Sequence, residues 1–304
     1  MLGEVVKRAL PFPPGSTFLI LGGGFSGQHI GSVARKLGAN VFCSRRNIDS
    51  KGADCCFDSN QSFFEPKEIL KEVTHLLSCI PPLASGGDPV LKILSKEIKE
   101  MPLKWAGYLS TTGVYGDSKG DWVTEKDNPK PKQSRSIRRL ACEQEWLASG
   151  IPIQILRLPG IYGPGRSSIE TIKNKSPKLI NKPGHVFSRI HIDDIAGSIM
   201  HLIYLKSQGI NPEIINITDN SPASNIEVMK FAYELLKNPA PEFESFEDAS
   251  KKMTPMALSF WQENRRVSNE MLCQKLGYSL IHPDYKSGLI DCLASLRFKG
   301  DLNY

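Results

Sequence analysis

The stretch "TFLILGGGFSGQHI", residues 17–30, decides how the rest of the chain is read. Thr17 to Leu21 is a short apolar run with strand character, and Gln28 to Leu37 has the spacing of a helix. Between them Gly22, Gly24 and Gly27 make the pattern GxGxxG. In such a turn the first glycine permits the tight bend, the second lets the backbone approach a pyrophosphate, and the third allows helix and strand to pack closely. The helix N-terminus then offers free N–H groups and the positive end of its dipole to an anion. The pattern alone also arises in ligand-free βα turns and in methyltransferase-type loops. With strand, helix and βαβ context all present, dinucleotide binding is the expectation, with Gly22, Gly24, Phe25, Ser26 and Gly27 as its contacts.

Outward from that turn, strand-like runs alternate with helical or mixed segments. "NVFCS" from Asn40, "ADCCF" from Ala53, "THLLSCI" from Thr74, "WAGYLSTT" from Trp105 and "IPIQILRL" from Ile151 are nearly continuously apolar. A parallel sheet covered by helices on both faces requires such strands. The expected fold is therefore α/β, a Rossmann-type doubly wound parallel sheet with a smaller C-terminal substrate lobe. Beyond about residue 158 the rhythm changes. "PGIYGPGRSS" is rich in turns, and "VFSRIHIDDIAGSIMHLIYL" reads as a strand feeding a helix capped by Asp193 or Asp194. "EIINITD" from Glu213 is a further strand. The expected organisation is an N-terminal extension at 1–15, ending in the stiff connector "PFPPG"; a dinucleotide-binding domain at 16–158 and 186–218; and a substrate-side lobe at 159–185 and 219–304.

The second strand should end beside the adenosine ribose, where an acidic residue would bind the free hydroxyls of NAD. Here the chain reads "CSRRN", placing Arg45 and Arg46 there. Two guanidinium groups suit a 2′-phosphate, so NADP is expected over NAD; solvated arginines are the plainer alternative. Asp58, ending the third strand, is either an adenine contact or a helix cap.

Bulk properties agree with this reading. A charge of +6, from 38 basic and 32 acidic residues spread along the chain, fits a phosphate-accepting groove. No basic run with interleaved aromatics supports nucleic-acid binding. The seven cysteines are odd in number and form no CxxC; Cys55 and Cys56 read as buried thiols, and a reducing, cytoplasmic setting is expected. No stretch is long enough to span a bilayer, and no secretion signal is evident. The six histidines are scattered without metal-site spacing, so no metal is expected.

At "LSTTGVYG" (109–116), "RLPGIYGPGR" (157–166) and "RIHIDDIA" (189–196) the chain resembles an extended short-chain dehydrogenase/reductase, of the NAD-dependent epimerase/dehydratase type. "LLSCIPP", "YLSTTGVYGD" and "RRVSNEMLCQKLGY…HPDYKSGL" make it similar to an atypical, nucleoside-diphosphate-sugar epimerase-like branch. The resemblance runs from about residue 17 to the C-terminus. It implies that a Ser or Thr ending the fifth strand orients the substrate; by motif position this is Thr111, with Ser110 and Thr112 flanking it. Hydroxyls that merely satisfy nearby backbone groups are the alternative.

The family's next element is a tyrosine followed four residues later by a lysine on one helix face. Against that motif "SRSIRRLACEQEWL", from Ser134, places Arg135 at the tyrosine position, Arg139 at the lysine position and Glu143 at a frequent family glutamate. A one-residue slip does not restore the pair, because residues 117–144 contain no tyrosine. Tyr115 and Lys119 have the spacing, but "YGDSKG" is a turn. Arginine stays protonated, so Arg135 cannot be the general base, though it can clamp a carboxylate or phosphate; Arg139 can still meet the ribose. The alternative is a solvated helix face in which Arg135, Arg138 and Arg139 pair with Glu143 and Glu145.

Two functions remain open on these residues. One is an NADP-dependent oxidoreductase or epimerase acting on a small anionic or nucleotide-sugar-like substrate, with Thr111, Arg135 and Arg139 at the reacting end. The other is a non-catalytic NADP(H) sensor. A homodimer is compatible with either; nucleic-acid and membrane partners are not expected.

Overall fold

The computed structural model describes residues 2–298 apart from Ser176 and Lys178. Its first half runs α1 (Leu2–Arg8), β1 (Thr17–Leu21), α2 (Phe25–Lys36), β2 (Asn40–Arg45), β3 (Cys55–Asp58), β4 (Phe63–Glu65), β5 (His75–Ser78), α3 (Pro89–Glu100), β6 (Trp105–Thr111) and β7 (Trp122–Val123). Next come α4 (Ser134–Ala148), β8 (Ile153–Leu158), β9 (Gly160–Tyr162), α5 (Ser168–Lys175), β10 (Leu179–Asn181), β11 (Arg189–His191), α6 (Ile192–Ser207) and β12 (Ile214–Asn216). The C-terminal part contains α7 (Asn225–Leu235), β13 (Phe243–Ser245), α8 (Phe246–Ser250), α9 (Pro255–Trp261), β14 (Arg266–Val267) and α10 (Tyr285–Phe298).

Eight strands form one sheet in the order β12-β8-β6-β5-β1-β2-β3-β4. All pairings are parallel except β3 with the edge strand β4. This is the doubly wound Rossmann architecture, and its strand order reverses between β1 and β5, where the crevice for a ligand opens. Every residue of β1 is buried, as a central strand covered on both faces requires. Phe18 and Ile20 join a cluster with α2 and α6, whereas Leu19 and Leu21 join one with α3 and α4. The strand's period of two thus feeds two separate cores. A third cluster, around Ile169, Leu179, Val228, Tyr233 and Leu289, belongs to the C-terminal lobe.

Local chemistry explains the boundaries. Asp88 caps α3 by accepting from the amides of Val90 and Leu91, with Pro89 in the first helical position. Gly31 lets α2 approach β2 so closely that a Cβ there would stand 2.7 Å from Cys43 Sγ. The Trp105 indole donates to Gln154 Oε1 at 2.6 Å, joining β6 to β8 through their side chains.

Three sequence expectations need correction. Helix α2 starts at Phe25 rather than Gln28, because the glycine turn passes directly into helical backbone. The cap of α6 is His191, whose Nδ1 accepts from the Asp193 amide at 3.2 Å; Asp193 and Asp194 stand in the first turn and bind elsewhere. Cys56 is only half-buried, because β3 alternates buried and part-exposed residues and Cys56 falls on the open face.

Candidate functional site

The glycine turn is fixed by its neighbour strand. Gly22 N–H donates to Ser44 Oγ at 3.0 Å and Gly23 N–H to the Ser44 carbonyl at 2.7 Å, so the end of β2 lies against the turn. Gly22 has φ of 101°, which a side chain rarely tolerates. A Cβ on Gly27 would collide with the Gly22 carbonyl, whereas one on Gly24 would meet nothing within 4 Å. The third glycine is thus required by packing, and the second faces open space. No side chain caps α2, whose first amides remain available to an anion.

Arg45 follows Ser44 directly. It is half-buried and its Nε is buried without a hydrogen-bond partner, while Arg46 is exposed. Asp58 accepts from the Asn60 amide at 2.9 Å in the turn joining β3 to β4. The open glycine, the uncapped helix and the orphaned guanidinium nitrogen fit a phosphate-bearing dinucleotide held by this turn and Arg45.

Beside this edge a cavity of about 760 Å³ opens above the ends of the parallel strands. Among the described residues six arginines line it: Arg135, Arg138, Arg139, Arg166, Arg189 and Arg265. Glu263 is the sole carboxylate among the described lining residues, and it pairs with Arg265 at 2.8 Å. Among described residues no carboxylate stands within ion-pair distance of Arg135, Arg138, Arg139 or Arg166. Concentrating cations in a concave, partly desolvated wall raises the local potential for an anionic ligand.

The cavity brings Thr111, Arg135 and Arg139 together; the glycine turn, Arg45, Arg46 and Asp58 lie outside its lining. The two regions meet at Arg166, which lines the cavity and sets its guanidinium 5.5 Å from the ring centroid of Phe25. They also meet beneath, where Ile80 packs on Gly22 and its carbonyl accepts from Arg139.

Helix α4 presents its arginines in different ways. Arg139 Nη1 reaches Tyr108 Oη at 2.9 Å and the carbonyls of Leu109 and Ile80 at 3.1 and 3.3 Å, so it braces the ends of β5 and β6. Arg135 is exposed and lies 4.0 Å from the Phe260 ring centroid. Neither uses a helix carboxylate: Glu143 pairs with Arg157, and Glu145 accepts from the Asp88 amide. The ion-paired solvated face is therefore not formed, because Glu143 points into the sheet.

The hydroxyls divide likewise. Thr111 Oγ1 lines the cavity and accepts from the Gly113 amide at 3.1 Å, Ser110 donates to Glu143, and Thr112 is buried yet borders the cavity. No tyrosine, histidine or lysine lines the cavity among described residues. Nearby tyrosines are poor proton donors. Burial raises the Tyr108 phenol far above its usual range despite Arg139, and it also raises Tyr115, whose hydroxyl donates to Asn216.

Arg138 enters the sequence reading only as part of a solvated helix face, and Arg166, Arg189, Glu263 and Arg265 have no assigned role there. Arg166 and Arg189 stand at the ends of recognised motifs, which was a usable signal. Glu263 and Arg265 enter from the far lobe, and nothing local marks them.

The fold is a Rossmann-type doubly wound sheet with an arginine-lined cavity above the ends of its parallel strands. No protein-family model matches the chain. It is 36% identical to a functionally unknown conserved protein from Silicibacter pomeroyi DSS, covering 92% of this chain and 99% of that one, with a TM-score of 0.83. A structure described as a "putative NAD-dependent epimerase/dehydratase" from Methylobacillus flagellatus is 26% identical, covering 93% of this chain and 99% of that one, with a TM-score of 0.74. Protein YeeZ of Escherichia coli K12 matches at 27% identity over 180 residues, 58% of either chain, so the match spans little more than half of that relative. The chain is thus similar over nearly its whole length to the Silicibacter pomeroyi protein, and it shares the fold of the NAD-dependent epimerase/dehydratase structures. More distant folds of this kind include UDP-glucuronic acid 4-epimerase from Bacillus cereus with NAD (19% identity, 94% and 98% coverage, TM-score 0.69) and human SDR39U1 with NADPH (15%, 92% and 100%, 0.69). Nicotinamide dinucleotides of both kinds therefore occupy this fold.

Among described residues, no helix is long and apolar enough to cross a membrane.

Proposed function

We propose that the protein is an NADP(H)-dependent oxidoreductase or epimerase for a small anionic, nucleotide-sugar-like substrate, working without the family's tyrosine and lysine. The observation that carries this reading is the cavity lined by six arginines and one carboxylate beside the glycine turn. Gly22, Gly24, Phe25, Ser26 and Gly27 would hold the pyrophosphate, and Arg45 with Arg46 the 2′-phosphate. When bound, the cofactor supplies a hydride donor or acceptor. The chain itself contributes charge and placement: Arg135 and Arg138 clamp the anionic substrate, Arg139 offers a cation toward the ribose, and Thr111 orients a hydroxyl or carbonyl. Losing one placed acid–base group costs about 10²–10⁴-fold in rate, so slow turnover fits this arrangement.

The test is a fluorescence titration with NADPH and NADH, followed by NADPH oxidation against a panel of sugar nucleotides and carbonyl compounds. Tighter NADPH binding with turnover that falls in Thr111→Ala supports the reading; equal affinities overturn the cofactor assignment. A second reading, a non-catalytic NADP(H) sensor, is favoured by the lack of a tyrosine or lysine in α4 and would be chosen by tight NADPH binding without turnover. Seven cysteines with no disulfide suit a cytoplasmic setting under either reading. A second copy in a homodimer is compatible with both.

A further inference from the structure

Three of the six histidines, distant in sequence, converge on one carboxylate away from the arginine cavity. His191, Asp193 and His282 are all buried, and one ligand atom from each lies within 4.8 Å of the others. His191 Nδ1 and His282 Nε2 stand 3.8 and 3.5 Å from Asp193 Oδ2, and the two rings are 4.0 Å apart at their centroids. The His282 contact is a hydrogen bond at the limit of its range, and the His191 contact is longer than one. Both separations are close to the edges of a coordination shell, since tetrahedral zinc with bonds of roughly 2.0–2.1 Å sets its ligands about 3.4 Å apart.

Two further polar side chains, His29 and Asp291, stand beside this cluster. His29 Nε2 lies 2.7 Å from Asp193 Oδ1, which turns Oδ2 toward the histidine pair. His191 Nε2 is buried without a hydrogen-bond partner and stands 3.8 Å from Asp291 Oδ2. With Nδ1 as ligand, its Nε2–H would point at a carboxylate, the usual support of a metal-bound histidine.

We propose that His191, Asp193 and His282 form a buried site for one divalent cation of the zinc type, tying the start of α6 to the segment before α10. Two imidazoles and a carboxylate favour zinc or cobalt over magnesium or calcium. A bound cation would take the lone pair that His191 now shares with the Asp193 amide.

The test uses tag-free, chelator-stripped full-length protein titrated with Co(II) and then Zn(II). One equivalent of cobalt should give visible d–d absorption, zinc should abolish it, and the thermal midpoint should rise with free zinc. His282→Gln should lose both responses, and His201→Gln, whose ring bonds the Leu276 carbonyl instead, should keep them. Should His282→Gln fold poorly, X-ray absorption of the zinc-loaded wild type should report two imidazole nitrogens and carboxylate oxygen. A spectroscopically silent cobalt titration, a band unchanged in folded His282→Gln, or absorption data without imidazole ligation would overturn the site.

Discussion

Glu143 of α4 and Arg157 of β8 meet as a two-point ion pair, with Nη2 to Oε2 at 2.7 Å and Nε to Oε1 at 3.2 Å. Both side chains are 2% exposed. Ser110 donates to the same carboxylate, and the Tyr115 ring lies 4.8 Å from the guanidinium. The pair fixes the helix that carries Arg135 and Arg139 against the sheet, so it sets where the cationic wall stands.

Removing one member should be costly, because the other would remain charged and dry. Glu143→Ala should lose about 3–5 kcal/mol of stability. Urea denaturation checks this, and Glu143→Ala with Arg157→Leu should recover part of the loss. A single variant as stable as wild type would show that the pair contributes nothing net.

Arg139 and Arg135 should separate into a brace and a clamp. Arg139→Ala leaves the Ile80 and Leu109 carbonyls without this donor and should lower stability by about 1–3 kcal/mol. Arg135→Ala removes an exposed stacking contact and should change stability by less than about 1 kcal/mol. In thermal-shift assays with pyrophosphate, Arg135→Ala should nonetheless show a weaker stabilising response than wild type.

Arg45 and Arg46 should set cofactor choice. NADPH is expected to bind at least roughly tenfold tighter than NADH, about 1.4 kcal/mol. The double change to alanine should erase that margin while leaving NADH affinity unchanged, as read by fluorescence titration.

His75 gives the fold an acid-sensitive element. Burial and the charge of Lys104 lower its pKa to about 4, and its Nδ1 lies 2.8 Å from Thr74 Oγ1 with Phe12 edge-on at 5.1 Å. The unfolded chain, titrating near the ordinary value of 6.5, binds the proton first as pH falls. Stability from this group is therefore full above about pH 6.5 and falls progressively to about pH 4, below which both states are protonated. Denaturation free energies measured across that window should slope downward toward acid, and His75→Gln should flatten the slope.

The β1–glycine–α2 unit was legible in the sequence because its constraints are local. Thr17 to Leu21 must be apolar to lie in the middle of a covered sheet, and Gly22 and Gly27 are fixed by a backbone dihedral and a carbonyl collision within the same turn. The alternation of strands and helices likewise follows from each segment's own periodicity. That α4 contains neither tyrosine nor lysine was equally plain, since it needs only residue identity.

The cationic cavity and the histidine cluster were decided by tertiary structure alone. Arg189 and Arg265 stand 76 positions apart by their numbering, and His29 reaches Asp193 across 164 residues. Whether Glu143 serves the helix surface or the sheet depends on Arg157, a strand residue that happens to be buried behind it. Charge and metal chemistry depend on distances through space, and a linear pattern specifies those distances only after the chain has packed.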